Sequence, residues 1–192
     1  MTEDNAIDSH FAEHLRVVKQ VRQALSGQIV ENAHRLSTTL TQGNAIYWCG
    51  NGGSAADSQH LAAELVGRFK NNRRALRSVA LSTDSSVLTC VANDFGYDDV
   101  FSRQVEALGR EGDVLVAIST SGNSENILRA IKAANKMGMV SIALLGKDGG
   151  AAKEIAHHSI VIPSDSTARI QEAHILIGHI FCELIEEELG FV

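Results

Sequence analysis

Proline is nearly missing from this chain. Pro163 is its one instance in 192 residues, and no Ser/Gly-rich or low-complexity run accompanies it, so nothing marks a hinge between separately folded units. No internal repeat is visible, and 44% apolar residues suffice for one buried core, which predicts a single domain with an added helical arm. Apolar runs of bilayer-spanning length are absent, and the polar start "MTEDNAIDSH" lacks the basic head and apolar stretch of a signal peptide. The expectation is a cytoplasmic protein without membrane contact. Cysteines are few and odd in number: Cys49, Cys90 and Cys182 lie far apart among apolar neighbours, which excludes a disulfide framework or zinc knuckle and predicts reduced core thiols. Positive charge is also short. The formal net charge of −6 argues against nucleic acid as a partner, although "RFKNNRRALR" gathers Arg68, Lys70, Arg73, Arg74 and Arg77. That cluster reads either as a solvated loop or as a lure for a small phosphorylated anion.

What the chain does have is periodicity. Ile7, Phe11, Leu15, Val18, Val21, Leu25, Ile29, Leu36 and Leu40 recur at three- and four-residue steps, the helical period. Ser26 and Gly27 predict a break between two helices. The arm, residues 1–40, belongs to the same unit as the domain at 41–192, and packing on that domain or against another subunit are both open. Five short apolar runs follow: "AIYWC" (45–49), "SVALS" (78–82), "VLVAI" (114–118), "VSIALL" (140–145) and "SIVIP" (159–163). Their hydrophobicity is continuous rather than alternating, as expected of strands buried on both faces of a parallel sheet. "ADSQHLAAELVGR", "DVFSRQVEALG" and "SENILRAIKAANKMG", the last ending at Gly138, have helical periodicity, and "ARIQEAHILIGHIFCELIEEEL" closes the chain as a long helix. The fold class is therefore α/β, a doubly wound five-stranded parallel sheet flanked by helices, with an N-terminal helical arm. In such folds ligands sit beyond the carboxyl ends of the strands.

Two loops suit a phosphate. Gly50-Asn51-Gly52-Gly53-Ser54-Ala55 satisfies the dinucleotide pattern after a strand and before a helix, but that fingerprint expects a ribose-holding acid about twenty positions on. Asp84, the nearest candidate, lies beyond that spacing and past the end of the second predicted strand. The second loop, Ser119-Thr120-Ser121-Gly122-Asn123-Ser124, brings hydroxyls, a glycine and helix-terminal amides together, which can hold a phosphate monoester without a cation. An ordinary N-cap needs one serine, so this density of hydroxyls favours an anion site. Asn93 and Asp94 reach the same cleft as partners of sugar hydroxyls, or else form an Asx turn or helix cap.

His60 and Glu64 are four apart on the helix that leaves the glycine loop, so they share a face, within about 40° of one another. Gln171 and His179 interrupt the apolar stripe of the closing helix two turns apart. Buried polar groups need partners. His174 fits a core histidine satisfied by one hydrogen bond. For Gln171 and His179 two readings stand: satisfied core groups, or ligands of a divalent metal of the zinc type.

The stretches "CGNGGSAADSQHLAAELVGR", "TDSSVLTCVANDFGYDDVFSRQVEALGREGDVLVAISTSGNSENI", "GKDGG" and "ARIQEAHILIGH" closely resemble the phosphoheptose isomerases of the sugar isomerase (SIS) family. The resemblance spans about Gly43 to Leu189 and leaves residues 1–40 without a family motif. It implies the SIS fold, a homotetramer with active sites at subunit interfaces, and one zinc per subunit held by His60, Glu64, Gln171 and His179. It implies substrate contacts at Asn51, Gly52, Gly53, Glu64, Asn93, Asp94, Ser119, Thr120, Ser121, Ser124 and Gln171. The implied reaction is an aldose–ketose isomerisation of a small-molecule sugar phosphate, sedoheptulose 7-phosphate to D-glycero-D-manno-heptose 7-phosphate. That product feeds ADP-heptose and the lipopolysaccharide core or a related surface polysaccharide. Moving a carbonyl between C1 and C2 needs a base, an acid and stabilisation of an enediolate; Glu64 is the expected base and His179 the expected acid. Rival expectations are a non-catalytic SIS module that binds a protein such as a replication initiator, a nucleotide-dependent enzyme, and an isomerase of a pentose 5-phosphate.

Overall fold

The structure, a computed structural model, describes residues 3–191. Met1 and Thr2 of the expected arm and Val192 of the expected domain lie outside the described residues. A long helix, α1 (Glu3–Thr41), precedes five strands: β1 (Ile46–Gly50), β2 (Ser78–Ala80), β3 (Val114–Ser119), β4 (Val140–Gly146) and β5 (His158–Ile162). All neighbours run parallel in the order β2-β1-β3-β4-β5, with Ile46 level with Val114 and Val114 level with Val140. Each apolar run named above overlaps one strand, with the ends shifted by one or two residues.

The pleat divides the strands between two cores. Ile46, Trp48, Val114, Val116 and Ile118 point toward α1, α2 (Gly53–Val66) and α7 (Thr167–Glu188). Tyr47, Cys49, Leu115 and Ala117 point toward α3 (Ser85–Phe95), α4 (Ser102–Leu108), α5 (Glu125–Lys136) and α6 (Gly150–Ile155). Burial on both faces explains the unbroken hydrophobicity of each strand. Gly138, at φ 75°, follows the C-cap of α5 as expected.

Three expectations are corrected. Ser26 and Gly27 do not break the arm: α1 is continuous, with Val17, Val21, Leu25, Ile29, Leu36 and Leu40 buried largely against α7. An interior glycine costs a helix only about 1 kcal/mol, less than this stripe gains by burial, and Ser26 turns its Oγ–H back to the Arg22 carbonyl. Val18 also gives way to Val17 as the buried member of the stripe, because the contact with α7 selects the face. Cys90 is exposed on α3 rather than a core thiol, while Cys49 and Cys182 are buried with their thiols pushed up to about 12 by desolvation. The helix carrying Cys90 buries only Val91.

The two helices α3 and α6 escaped the periodicity reading. Asp84 is the N-cap of α3, its carboxylate accepting the Val87 N–H at 3.0 Å, so the acid nearest to a ribose-holding position serves the helix instead.

Candidate functional site

The strand order reverses between β1 and β3, and the loops after these two strands are the glycine loop and the hydroxyl loop. That is the switch-point crevice of a doubly wound sheet. The glycines of the first loop make room. A Cβ on Gly50 would strike the Ser54 backbone, and one on Gly53 would collide with the Gln171 carboxamide, so Gln171 of α7 lies directly against the loop.

Asn51 is held from two sides. Its Nδ2 donates to Asn126 Oδ1 at 2.9 Å, while its Oδ1 accepts from Asn126 Nδ2 at 2.8 Å and from the Tyr97 hydroxyl at 3.1 Å. One side-chain N–H of Asn51 remains for a ligand. Tyr97 follows α3 closely, so it draws the end of that helix, with Asn93 and Asp94, toward the glycine loop. Asn93 Nδ2 donates to Asp94 Oδ1 at 2.7 Å, and both residues are exposed in the last turn of α3.

In the hydroxyl loop, Ser119 is buried and its Oγ accepts the Gly122 N–H at 3.1 Å, which shapes the turn. Ser121 Oγ accepts the Asn123 N–H at 3.3 Å. Thr120, Ser121 and Ser124 are partly open. Ser124 occupies the N-cap position of α5 yet makes no side-chain capping bond, so its hydroxyl is left for a ligand at the positive end of that helix.

The two halves of the polar set from α2 and α7 converge. His60 Nε2 stands 2.9 Å from His179 Nε2 and 3.4 Å from Glu64 Oε1, and donor atoms of the three residues all lie within 4.8 Å of one another. Two imidazole nitrogens and a carboxylate oxygen are ordinary zinc donors, and a tetrahedron with arms of about 2.0–2.1 Å has edges of roughly 3.3 Å, close to the spacings found. The donor set therefore fits a metal ion of the zinc type. Phe69 closes one side, its ring stacked on that of His179 at 5.6 Å and 22°.

The structure adds Asp57 to this neighbourhood. Burial pushes its carboxyl above the ordinary value, opposed by the neighbouring Gln171 side chain and by the His60 and His179 imidazoles, and its Oδ2 is buried without a protein partner. It lies three residues before His60, a spacing that shares a helical face, so the sequence contained a signal for it. Asn126 and Tyr97 left no local signal. His174 is the core histidine expected: fully buried, it bonds the Leu145 carbonyl through Nε2 at 2.9 Å, and desolvation lowers its pKa to about 4. The basic stretch is less free than a solvated loop: Arg73 is buried against Glu186, Lys70 pairs with Glu183, and Arg77 donates to the Gly43 carbonyl.

Comparison with known proteins agrees with this architecture. Residues 9–146 match the sequence model of the SIS domain. The phosphoheptose isomerase of Akkermansia muciniphila is 55% identical over 86% of this chain and 88% of its own. Phosphoheptose isomerase 1 of Campylobacter jejuni is 51% identical over 95% of this chain and 98% of its own. The solved phosphoheptose isomerase of Neisseria gonorrhoeae, 46% identical, superposes with a TM-score of 0.92 over 97% of this chain and all of that one. A SIS-type sheet, a hydroxyl loop at its switch point and relatives at this identity over nearly the whole length lead to one conclusion: the chain is an isomerase belonging to the phosphoheptose isomerases of the SIS-domain family.

Proposed function

We propose that the protein interconverts sedoheptulose 7-phosphate and D-glycero-D-manno-heptose 7-phosphate by proton transfer through an enediolate. The observation that carries the reading is the meeting of His60, Glu64 and His179, on helices that border the glycine loop beside a loop rich in hydroxyls. The names of the similar proteins support the substrate class.

Thr120, Ser121 and Ser124 hold the phosphate with the N-terminal amides of α5. The open-chain sugar extends from there past Asn51, Gly52 and Gly53, with Asn93, Asp94 and Ser119 lining its path, toward Gln171 and the polar cluster. Glu64 takes the proton from the carbon beside the carbonyl, and His179 moves a proton between the two oxygens. His60, Glu64, Gln171 and His179 would hold one zinc per subunit. Bound there, it supplies Lewis-acid polarisation of the carbonyl. A carboxylate held by a cation is a weaker base, so the two roles given to Glu64, ligand and base, compete.

The further assignments are a homotetramer with active sites at subunit interfaces, a cytoplasmic location, and supply of heptose to ADP-heptose and the lipopolysaccharide core or a similar surface polymer. Ile7, Phe11 and Leu15 support the oligomer, since they form an exposed apolar stripe at helical spacing on α1. Among the described residues no helix is long and apolar enough to cross a membrane. The decisive experiment is incubation of the purified protein with sedoheptulose 7-phosphate and identification of the products, beside metal analysis and a chelator control. Conversion with stoichiometric zinc is expected. No aldose product overturns the substrate; full activity in chelator with no metal present removes zinc from the mechanism.

A further inference from the structure

Glu186 is a carboxylate with 1% of its surface exposed. Arg73 Nε donates to its Oε1 at 2.8 Å, and the Arg73 side chain is wholly buried. The rest of each group's hydrogen bonding goes to backbone. Glu186 accepts the N–H groups of Phe69, Lys70 and Asn71 at 3.0, 3.1 and 3.1 Å. Arg73 donates to the carbonyls of Glu64, Leu65 and Arg74 at 2.8, 2.9 and 3.0 Å.

The carbonyls of Glu64 and Leu65 belong to the last turn of α2, where no intrahelical donor remains. Arg73 thus caps the helix that carries His60 and Glu64. Glu186 belongs to α7, two turns beyond His179, and the segment it grips presents Phe69, whose ring stacks on His179. A buried ion pair is a weak stabiliser, because desolvation consumes most of its attraction. Its value here lies in what it registers.

We infer that the buried Arg73–Glu186 pair is a positioning unit of the site: it fixes α2 against α7 so that His60 and Glu64 face His179, and through the Phe69 amide it sets the ring that orients the His179 imidazole. This rests on the reading of that cluster as the place where metal is held and the proton moves. Neither residue touches substrate; both act through Phe69 and the end of α2.

The test uses the intact protein and three readouts: the ring C–H resonances of His179 in the metal-free state, zinc affinity by chelator competition, and kcat and KM with sedoheptulose 7-phosphate. Phe69→Leu keeps the amide that Glu186 holds but removes the ring current, and so identifies the His179 signal that depends on stacking. Glu186→Gln is expected to move that signal toward its Phe69→Leu position. Zinc affinity and kcat should each fall roughly 10- to 100-fold, the usual cost of removing a group that orients a ligand. KM should stay within about twofold, because the hydroxyl loop on β3 and α5 is untouched. Arg73→Lys should not rescue, since an ammonium cannot reproduce the guanidinium fork. If an unpaired buried charge unfolds the single variants, the double variant Arg73→Met, Glu186→Met removes both charges. It should regain the melting temperature without regaining kcat. Variants that melt earlier yet keep the wild-type His179 resonance, zinc affinity and kcat overturn the inference and leave the pair purely structural. A wild-type protein that neither binds zinc nor converts the sugar overturns the functional reading instead, and the metal-free resonance comparison still decides the positioning claim.

Discussion

Glu64 has the most to lose from a change that keeps its shape. Glu64→Gln retains an oxygen able to face a cation but has no useful basicity, so kcat should fall by orders of magnitude while substrate still binds. Isomerisation in deuterium oxide should place deuterium on the carbon beside the new carbonyl. An active Glu64→Gln variant combined with no exchange would sink the enediolate assignment. In the proposed binding mode Ser121 and Ser124 hold the phosphate, remote from the reacting carbons, and each hydroxyl would contribute about 1 kcal/mol of binding. Their alanine variants should therefore raise KM more than they lower kcat; an unchanged KM with a large loss of kcat would misplace the phosphate. His174 makes a pH prediction. Its pKa is lowered on folding to about 4, so the unfolded chain binds a proton that the folded chain refuses between about pH 6.5 and 4. Stability is unaffected above that window and falls as pH drops through it, by about 3 kcal/mol at most. Thermal melts at pH 7.5 and 5 should show this loss, and His174→Leu should flatten it.

At the scale of elements, the continuous α1 is the feature that local residue preferences misrepresent. Gly27 sits in mid-helix, exposed, with nothing within 4 Å of where a Cβ would stand. Gly27→Ala should therefore stabilise the protein by about 0.5–1 kcal/mol, seen as a higher denaturant midpoint at unchanged slope. A break at that position would instead make alanine neutral or harmful. α2 and α7 divide the work differently from α1: each gives its apolar stripe to the core and a few polar side chains to the crevice. Their relative register, not the sequence of either alone, brings His60 and His179 together across 119 residues of chain.

For the whole molecule, the sheet places the glycine and hydroxyl loops side by side at the carboxyl ends of β1 and β3, while α1 extends an uncovered stripe away from its own core. Ile7, Phe11 and Leu15 are 55%, 66% and 66% exposed, a pattern better suited to another copy than to water. Phe11→Glu should shift the sedimentation profile from the proposed tetramer to smaller species and lower activity in parallel, since the proposed sites lie between subunits. A wild-type protein that sediments as a monomer would remove that assignment.

Strand positions, the parallel sheet, the helix after the glycine loop and the buried role of His174 were legible along the chain, because each leaves a local pattern: unbroken apolar runs where both faces of a strand are buried, and helical periodicity where one face is. The displacement of Asp84 from a ribose-holding position was legible too, and its use as a cap gives the physical reason. The resemblance of whole stretches pointed to His60, Glu64, Gln171 and His179 as a set, where spacing alone left two readings open. Tertiary packing decided the rest. It carried α1 through Ser26 and Gly27, since burial against α7 outweighs a local preference to stop. It joined Asn51 to Asn126 across 75 residues and Arg73 to Glu186 across 113, pairings that no spacing encodes because they depend on where two distant helices and a loop meet on the sheet.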